Sequence, residues 1–247
     1  MLSANCALRR PLSLHTVVYR PCRCAVSKEP PGGPSGNPRT TRRGKSKCIS
    51  GKRGTAKWLH QHGLGRFAVK EYTLDWLLSP AGAAAFPVVL KPVVGFGGRG
   101  VQIVRSVAAL RQALRGRDPS EYILQEAITS PDEWGVYFVA HGGELLHAVC
   151  KRFAFNDSLF VRSGGIFGEG LQEQGVRPCD ASPFGEDPLR NLVARARYHG
   201  FGTLGLKARA VGEPAALIEM NARVGYSMMM MLPALLEQVQ RLSLIHI

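Results

Sequence analysis

A chain of 247 residues with 45% hydrophobic composition is long enough to bury a core and to form one or two domains. Its apolar runs fall short of the roughly 18–20 residues a transmembrane helix needs, so no membrane partner is expected. The net charge of +14 is concentrated at one end: residues 1–53 hold 12 Lys and Arg against the single acid Glu29, and the remainder holds 20 against 17. A nearly neutral globular part gives no basic groove, and no nucleic-acid partner is expected.

Residues 1–45 are poor in acids and rich in Arg, Ser and Pro, with the turn-heavy run Pro30-Pro31-Gly32-Gly33-Pro34, and read as a disordered basic tail. Its first 28 residues resemble an organelle transit peptide, with non-native sequence as the rival. Thr55–His62 reads as a short helix ended by Gly63-Leu64-Gly65. Phe86–Lys91 reads as a strand, Gly95-Phe96-Gly97-Gly98-Arg99-Gly100 as a loop, and Val101–Val104 as a second strand. The glycines match the dinucleotide pattern G-x-G-x-x-G, but that pattern should open a helix, and a β-branched run follows instead. A strand–glycine loop–strand unit suits a flap whose backbone N–H groups approach phosphate oxygens.

Ser106 should cap an amphipathic helix that carries Val107, Leu110 and Leu114 and stops near Gly116. Glu121–Glu126 follows as a strand, and Trp134–Ala140 with Glu144–Arg152 as a hairpin across His141-Gly142-Gly143. A Gly-, Ser- and Pro-rich loop covers 163–183, and Leu189–His199 is helical in pattern. Thr203–Ala210 and Ala215–Asn221 form a second hairpin, and Met228–Met231 begin a helix packed below the site. Hairpins alternating with helices predict an α+β fold. The final six residues, Leu242–Ile247, resemble the translation of a transposon-end adapter, so the native sequence is expected to depart near Arg241.

Two clusters could carry chemistry. Lys91 ends an apolar strand four residues before the glycine loop, where a half-buried ammonium is best accommodated by facing a phosphate. In Ile218-Glu219-Met220-Asn221-Ala222-Arg223, strand alternation puts Glu219 and Asn221 on one face. A carboxylate and an amide oxygen there suit Mg²⁺, and Arg223 could clamp a phosphate or carboxylate in two-point fashion. Lys151 and Arg152 end their strand, where a solvated strand end and added positive charge for a bound anion are the two alternatives. No Ser-His-Asp or Cys-His arrangement stands out. The six cysteines, Cys6, Cys22, Cys24, Cys48, Cys150 and Cys179, lack paired C-x-x-C spacing and read as free thiols of a reducing compartment. That favours the cytoplasm, or an organelle if the basic tail is a transit peptide.

These pieces, taken in order with Leu124-Gln125-Glu126-Ala127-Ile128, resemble the ATP-grasp superfamily over about residues 50–240. The resemblance implies a lid subdomain over 46–125 and a C-terminal subdomain with a metal site over 126–241, clamping ATP. It implies that Lys52 and Lys91 contact nucleotide phosphates beneath a flap of Gly95, Gly97, Gly98 and Gly100. Gln125, Glu126 and Ile128 would belong to the strand whose backbone meets adenine, and Glu133 would bind ribose hydroxyls. Glu219 and Asn221 would hold Mg²⁺, with Mn²⁺ as a substitute, and Arg223 would meet the γ-phosphate or an acyl phosphate.

The implied activity is an ATP-dependent ligase that activates a small-molecule carboxylate as an acyl phosphate for attack by an amine or similar nucleophile. A carbamoyl-phosphate-synthetase-like or biotin-carboxylase-like enzyme acting on bicarbonate is the alternative within the family, and a non-catalytic ATP-binding module the alternative outside it. Two departures stand out. Gly205-Leu206-Lys207-Ala208-Arg209 offers no carboxylate where many members place another metal ligand, so a second Mg²⁺ would bind mainly through phosphates. Relatives also begin with a further α/β domain that residues 1–45 do not supply, which implies a fragment.

Overall fold

The computed structural model describes residues 52–95, 97–155, 172–173, 177–210, 213–222 and 226–245. The basic tail, most of the 163–183 loop and Arg223 lie outside them. In chain order the elements are α1 (Thr55–Gln61), β1 (Glu71–Tyr72), α2 (Leu74–Leu78), β2 (Val88–Pro92), β3 (Gln102–Val104), α3 (Val107–Ala113), β4 (Tyr122–Glu126), β5 (Asp132–His141), β6 (Glu144–Ala154), β7 (Gln172–Glu173), β8 (Arg177–Pro178), α4 (Glu186–Arg195), β9 (Gly200–Lys207), β10 (Ala216–Asn221) and α5 (Tyr226–Ile245).

The strands make two antiparallel sheets. The first runs β1-β4-β2-β3; the second runs β10-β9-β5-β6-β7, with β8 also on β6. In the first sheet Val88, Leu90, Val104 and Leu124 pack with Leu77 of α2 and Leu110 of α3. Both helices start at hydroxyl caps: Thr73 Oγ1 accepts from the Trp76 N–H and Ser106 Oγ from the Ala109 N–H. Strand alternation then leaves Val89, Lys91 and Gln125 on the other face of this sheet, because Val89 lies opposite Gln125.

The second sheet is covered on both faces. Val136, Phe138, Leu204, Leu206, Leu217 and Met220 pack with Leu189, Leu192 and Val193 of α4 and with Leu59, Leu64 and Phe67 from the segment before β1. The opposite face carries Tyr137 and Val149, on which Met228, Met231 and Leu235 of α5 are seated. The methionines thus begin a helix packed on this sheet, as their apolar cluster indicates. Among the described residues no helix is long and apolar enough to cross a membrane.

Two features were hidden in the sequence pattern. The helix expected over 189–199 runs instead over 186–195. Pro188 fits its first turn, where no intrahelical N–H is required, and Glu186 and Asp187 favour the positive end of the dipole. Its end is a Schellman closure in which the left-handed residue is Arg197 at φ 45°, with Arg197 N bonded to Ala194 O and Tyr198 N to Val193 O. A glycine would have marked this stop; an arginine does not. The second feature is a β-bulge in β10, since Leu217 pairs with Leu206 and Glu219 with Gly205, leaving Ile218 as the extra residue.

Candidate functional site

The bulge at Ile218 sets the site. It reverses side-chain parity, so that Leu217 and Met220 both enter the core while Glu219 and Asn221 share the opposite face. Asn221 Nδ2 donates to Glu219 Oε1 at 3.0 Å. The Ile218 carbonyl lies 3.4 Å from Lys91 Nζ, which reaches across from the first sheet. The face of the first sheet with Lys91 and Gln125 therefore looks onto the face of the second with Glu219 and Asn221.

Lys91 is only 5% exposed. Burial pushes its ammonium down to about 8 from 10.5; Glu219 counters that, the charge of Lys52 adds to it, and Glu71 counters again. Lys52 is held beside the glycine loop by donating to the Pro92 carbonyl at 2.9 Å, and burial lowers its pKa too, against the pull of Glu219. Two cations, Lys52 and Lys91, and the carboxylate of Glu219 that acts on both thus meet near the glycine loop, with Glu71 acting on Lys91 as well. In that loop Gly97, Gly98 and Gly100 have φ of 59°, 72° and 73°, and a Cβ on Gly100 would stand 2.9 Å from Pro92 Cγ. Gly95 borders Lys52, whose Nζ would be 3.4 Å from a Cβ placed there. The loop therefore requires glycine for conformation at three positions and for space at the last.

Gln125, though on the strand singled out in the sequence, is 6% exposed and donates its amide to Glu71 Oε1 at 3.0 Å. Glu126 ties the two sheets together: Arg209 binds it through two nitrogens at 2.6 and 3.2 Å, and it also accepts from the Lys70 N–H at 3.0 Å. Arg209 continues to the Ala68 carbonyl at 3.0 Å, and Ala68 bridges to Leu217. Ile128, in the link between the sheets, receives Lys207 Nζ on its carbonyl at 3.4 Å. Glu133 on β5 lies directly opposite Lys207. Arg152 is engaged elsewhere, bonded to Asp132 at 2.9 and 2.7 Å.

A row crosses the second sheet from Lys151 through Gly135 and Gly205 to Glu219. The paired glycines leave room for neighbouring side chains to lie flat. A Cβ on Gly205 would approach Glu219 Cγ to 3.1 Å, and one on Gly135 would approach Tyr137 Oη to 2.7 Å. Gly205 thus permits the position of Glu219, and Lys207 and Arg209 take parts that sequence reasoning missed. Alternation along Thr203, Gly205 and Lys207 puts Lys207 on the cleft face; only the register reveals that Glu133 is its neighbour. A separate cavity of about 370 Å³, with His147, Cys179, Glu186 and Arg190 in its lining, lies beside β6 and α4 and shares no residue with this cleft.

Glu219 and Asn221 supply hard oxygen donors of the kind Mg²⁺ takes, and two protein donors suit a cation that shares its shell with phosphate and water. Among the described residues no group of three or more His, Cys, Asp or Glu side chains could form a self-sufficient metal cage.

No family model matches the chain, and neither does any curated protein. Solved structures do. The chain is similar to the L-amino acid ligase from Bacillus licheniformis, with 22% identity over 72% of this chain and a TM-score of 0.51; it spans 41% of that enzyme's length. Others include the biotin carboxylase domain of Hydrogenobacter thermophilus 2-oxoglutarate carboxylase, solved with ADP, its magnesium salt and bicarbonate, at 16% identity, 73% and 41% coverage and a TM-score of 0.49. D-alanine–D-alanine ligase from Bacillus anthracis follows at 17%, 78% and 68%, with a TM-score of 0.47. Two antiparallel sheets facing each other beside a glycine loop, together with the match to the first of these ligases, give this chain the ATP-grasp fold.

Proposed function

We propose that the chain is the nucleotide-binding part of an ATP- and Mg²⁺-dependent ligase that activates a small-molecule carboxylate as an acyl phosphate for attack by an amine or similar nucleophile. The observation that carries this reading is the buried Lys91, which spans from one sheet to the bulged strand of the other and stands with Lys52 and Glu219 beneath the glycine lid. A buried ammonium destabilises the apo fold and gains most from a polyanion placed beside it.

In this reading Lys52 and Lys91 bind phosphate oxygens, and the lid from Gly95 to Gly100 offers backbone N–H groups to them. Glu133 orients the ribose, and the end of β4 at Gln125 and Glu126, with the link to Ile128, lies along the base. Glu219 and Asn221 would hold Mg²⁺, or Mn²⁺ in its place, which when bound neutralises phosphate charge. Arg223 would bind the transferring phosphoryl group. Positioning and charge neutralisation suffice for such chemistry, so no protein nucleophile is required.

The test is ATP binding by the full chain, followed by phosphate release with a panel of amino acids and other small carboxylates. Lys91→Ala should abolish binding, and Glu219→Gln should remove its Mg²⁺ dependence. Undiminished ATP turnover in both variants would overturn the site assignment, and tight ATP binding with no phosphate release under any carboxylate would favour a binding module.

A further inference from the structure

Lys207 is the second buried lysine of the cleft, 7% exposed. It sits on β9 two residues from Gly205, on the same face, and therefore next to the row that ends in Glu219. Across the ladder on its other side stands Glu133, and its Nζ lies 3.4 Å from the Ile128 carbonyl. Lys207 is thus the cross-strand neighbour of Glu133 and shares the cleft face with Glu219, which pairs with Gly205 two residues along β9.

That placement has an electrostatic consequence. Two carboxylates on one face repel a polyphosphate; Lys52 and Lys91 act on Glu219, whereas Lys207 is the cation directly across the ladder from Glu133. Lys207 supplies a fixed positive charge at that point. It also makes the same point unfavourable for a second divalent cation, because like charges a few ångströms apart in a partly desolvated cleft repel strongly. The oxygen donors that remain, Glu219 and Asn221, suffice for one cation that completes its shell with phosphate oxygens.

We propose that Lys207 is a phosphate-binding residue that takes the place of a second divalent cation, so that the nucleotide is held with a single one. This rests on the reading of the cleft as an ATP site.

The experiment counts Mn²⁺ by electron paramagnetic resonance on the full chain saturated with adenylyl imidodiphosphate, and measures nucleotide affinity in parallel. The wild-type chain should bind one Mn²⁺ per nucleotide. Lys207→Glu should bind two, Lys207→Met should weaken nucleotide binding tenfold or more, and Lys207→Arg should keep it within about threefold. Circular dichroism establishes that each variant is folded, and the arginine variant separates loss of charge from loss of packing. Two Mn²⁺ in the wild-type complex, or full affinity in a folded Lys207→Met variant, would overturn this role alone. Failure of the wild-type chain to bind the nucleotide at all would overturn the ATP site and this role together.

Discussion

Replacing Lys91 with methionine separates what the residue costs the fold from what it does for binding. Its pKa is about 8 in the folded chain against 10.5, chiefly through desolvation. At about 1.4 kcal/mol per pKa unit, that corresponds to roughly 3 kcal/mol of destabilisation by the buried charge. The sign follows from proton counting. Between pH 8 and 10.5 the unfolded chain holds a proton that the folded chain has released, so stability rises with pH across that window, and below pH 8 the penalty is fully present. Methionine fills similar volume without charge and gives up the hydrogen bond to the Ile218 carbonyl, worth about 1 kcal/mol. Lys91→Met should therefore be about 2 kcal/mol more stable than wild type at pH 7, with the advantage gone by about pH 10.5, while ATP binding is lost. Urea unfolding followed by tryptophan fluorescence at pH 7, 8, 9 and 10 reads the difference between the two chains, in which titrating groups not coupled to Lys91 cancel. The same stability–pH slope in both proteins between pH 8 and 10 would refute the reasoning.

Gly205→Ala places a methyl 3.1 Å from Glu219 Cγ, so it should shift that carboxylate and weaken Mg²⁺-dependent nucleotide binding several-fold, at a stability change of about 1 kcal/mol or less; equilibrium dialysis with labelled ATP decides, and unchanged affinity would count against the positioning role. Arg209→Met leaves Glu126 as a half-buried carboxylate without its two-point partner and should destabilise the chain by about 2–3 kcal/mol. Adding Glu126→Gln should recover much of that loss, and additive effects in the double-mutant cycle would show that the pair does not couple the sheets. Cys150 and Cys179 are buried thiols pushed up to about 11 and about 12, chiefly by burial, so both should resist alkylation at pH 8 in the native chain and react after unfolding; rapid native labelling of either, read by peptide mass spectrometry, would contradict their burial.

The hairpins, the capped helix at Ser106 and the glycine loop were legible because each is encoded within a few residues. Alternation, a hydroxyl cap and a glycine run are local signals. The end of α4 was misread because its left-handed residue is Arg197, where the local signal is usually glycine. Strand β1 was missed because two residues carry no period; it exists through pairing with β4, some 50 residues away in the chain.

The sequence by itself determined the main hairpins and the capped helix, the α+β class, and the residue types that suit phosphate and cation binding: Lys91, the glycines, Glu219 and Asn221. Tertiary structure decided how they combine. The bulge at Ile218 turns Glu219 and Asn221 to the cleft while keeping Leu217 and Met220 in the core, and register alone brings Lys207 opposite Glu133 and Glu219 over Gly205. The physical reason is that side-chain type and alternation are properties of a single segment, whereas a bulge and a register are fixed by the partner strand, through contacts no local pattern records.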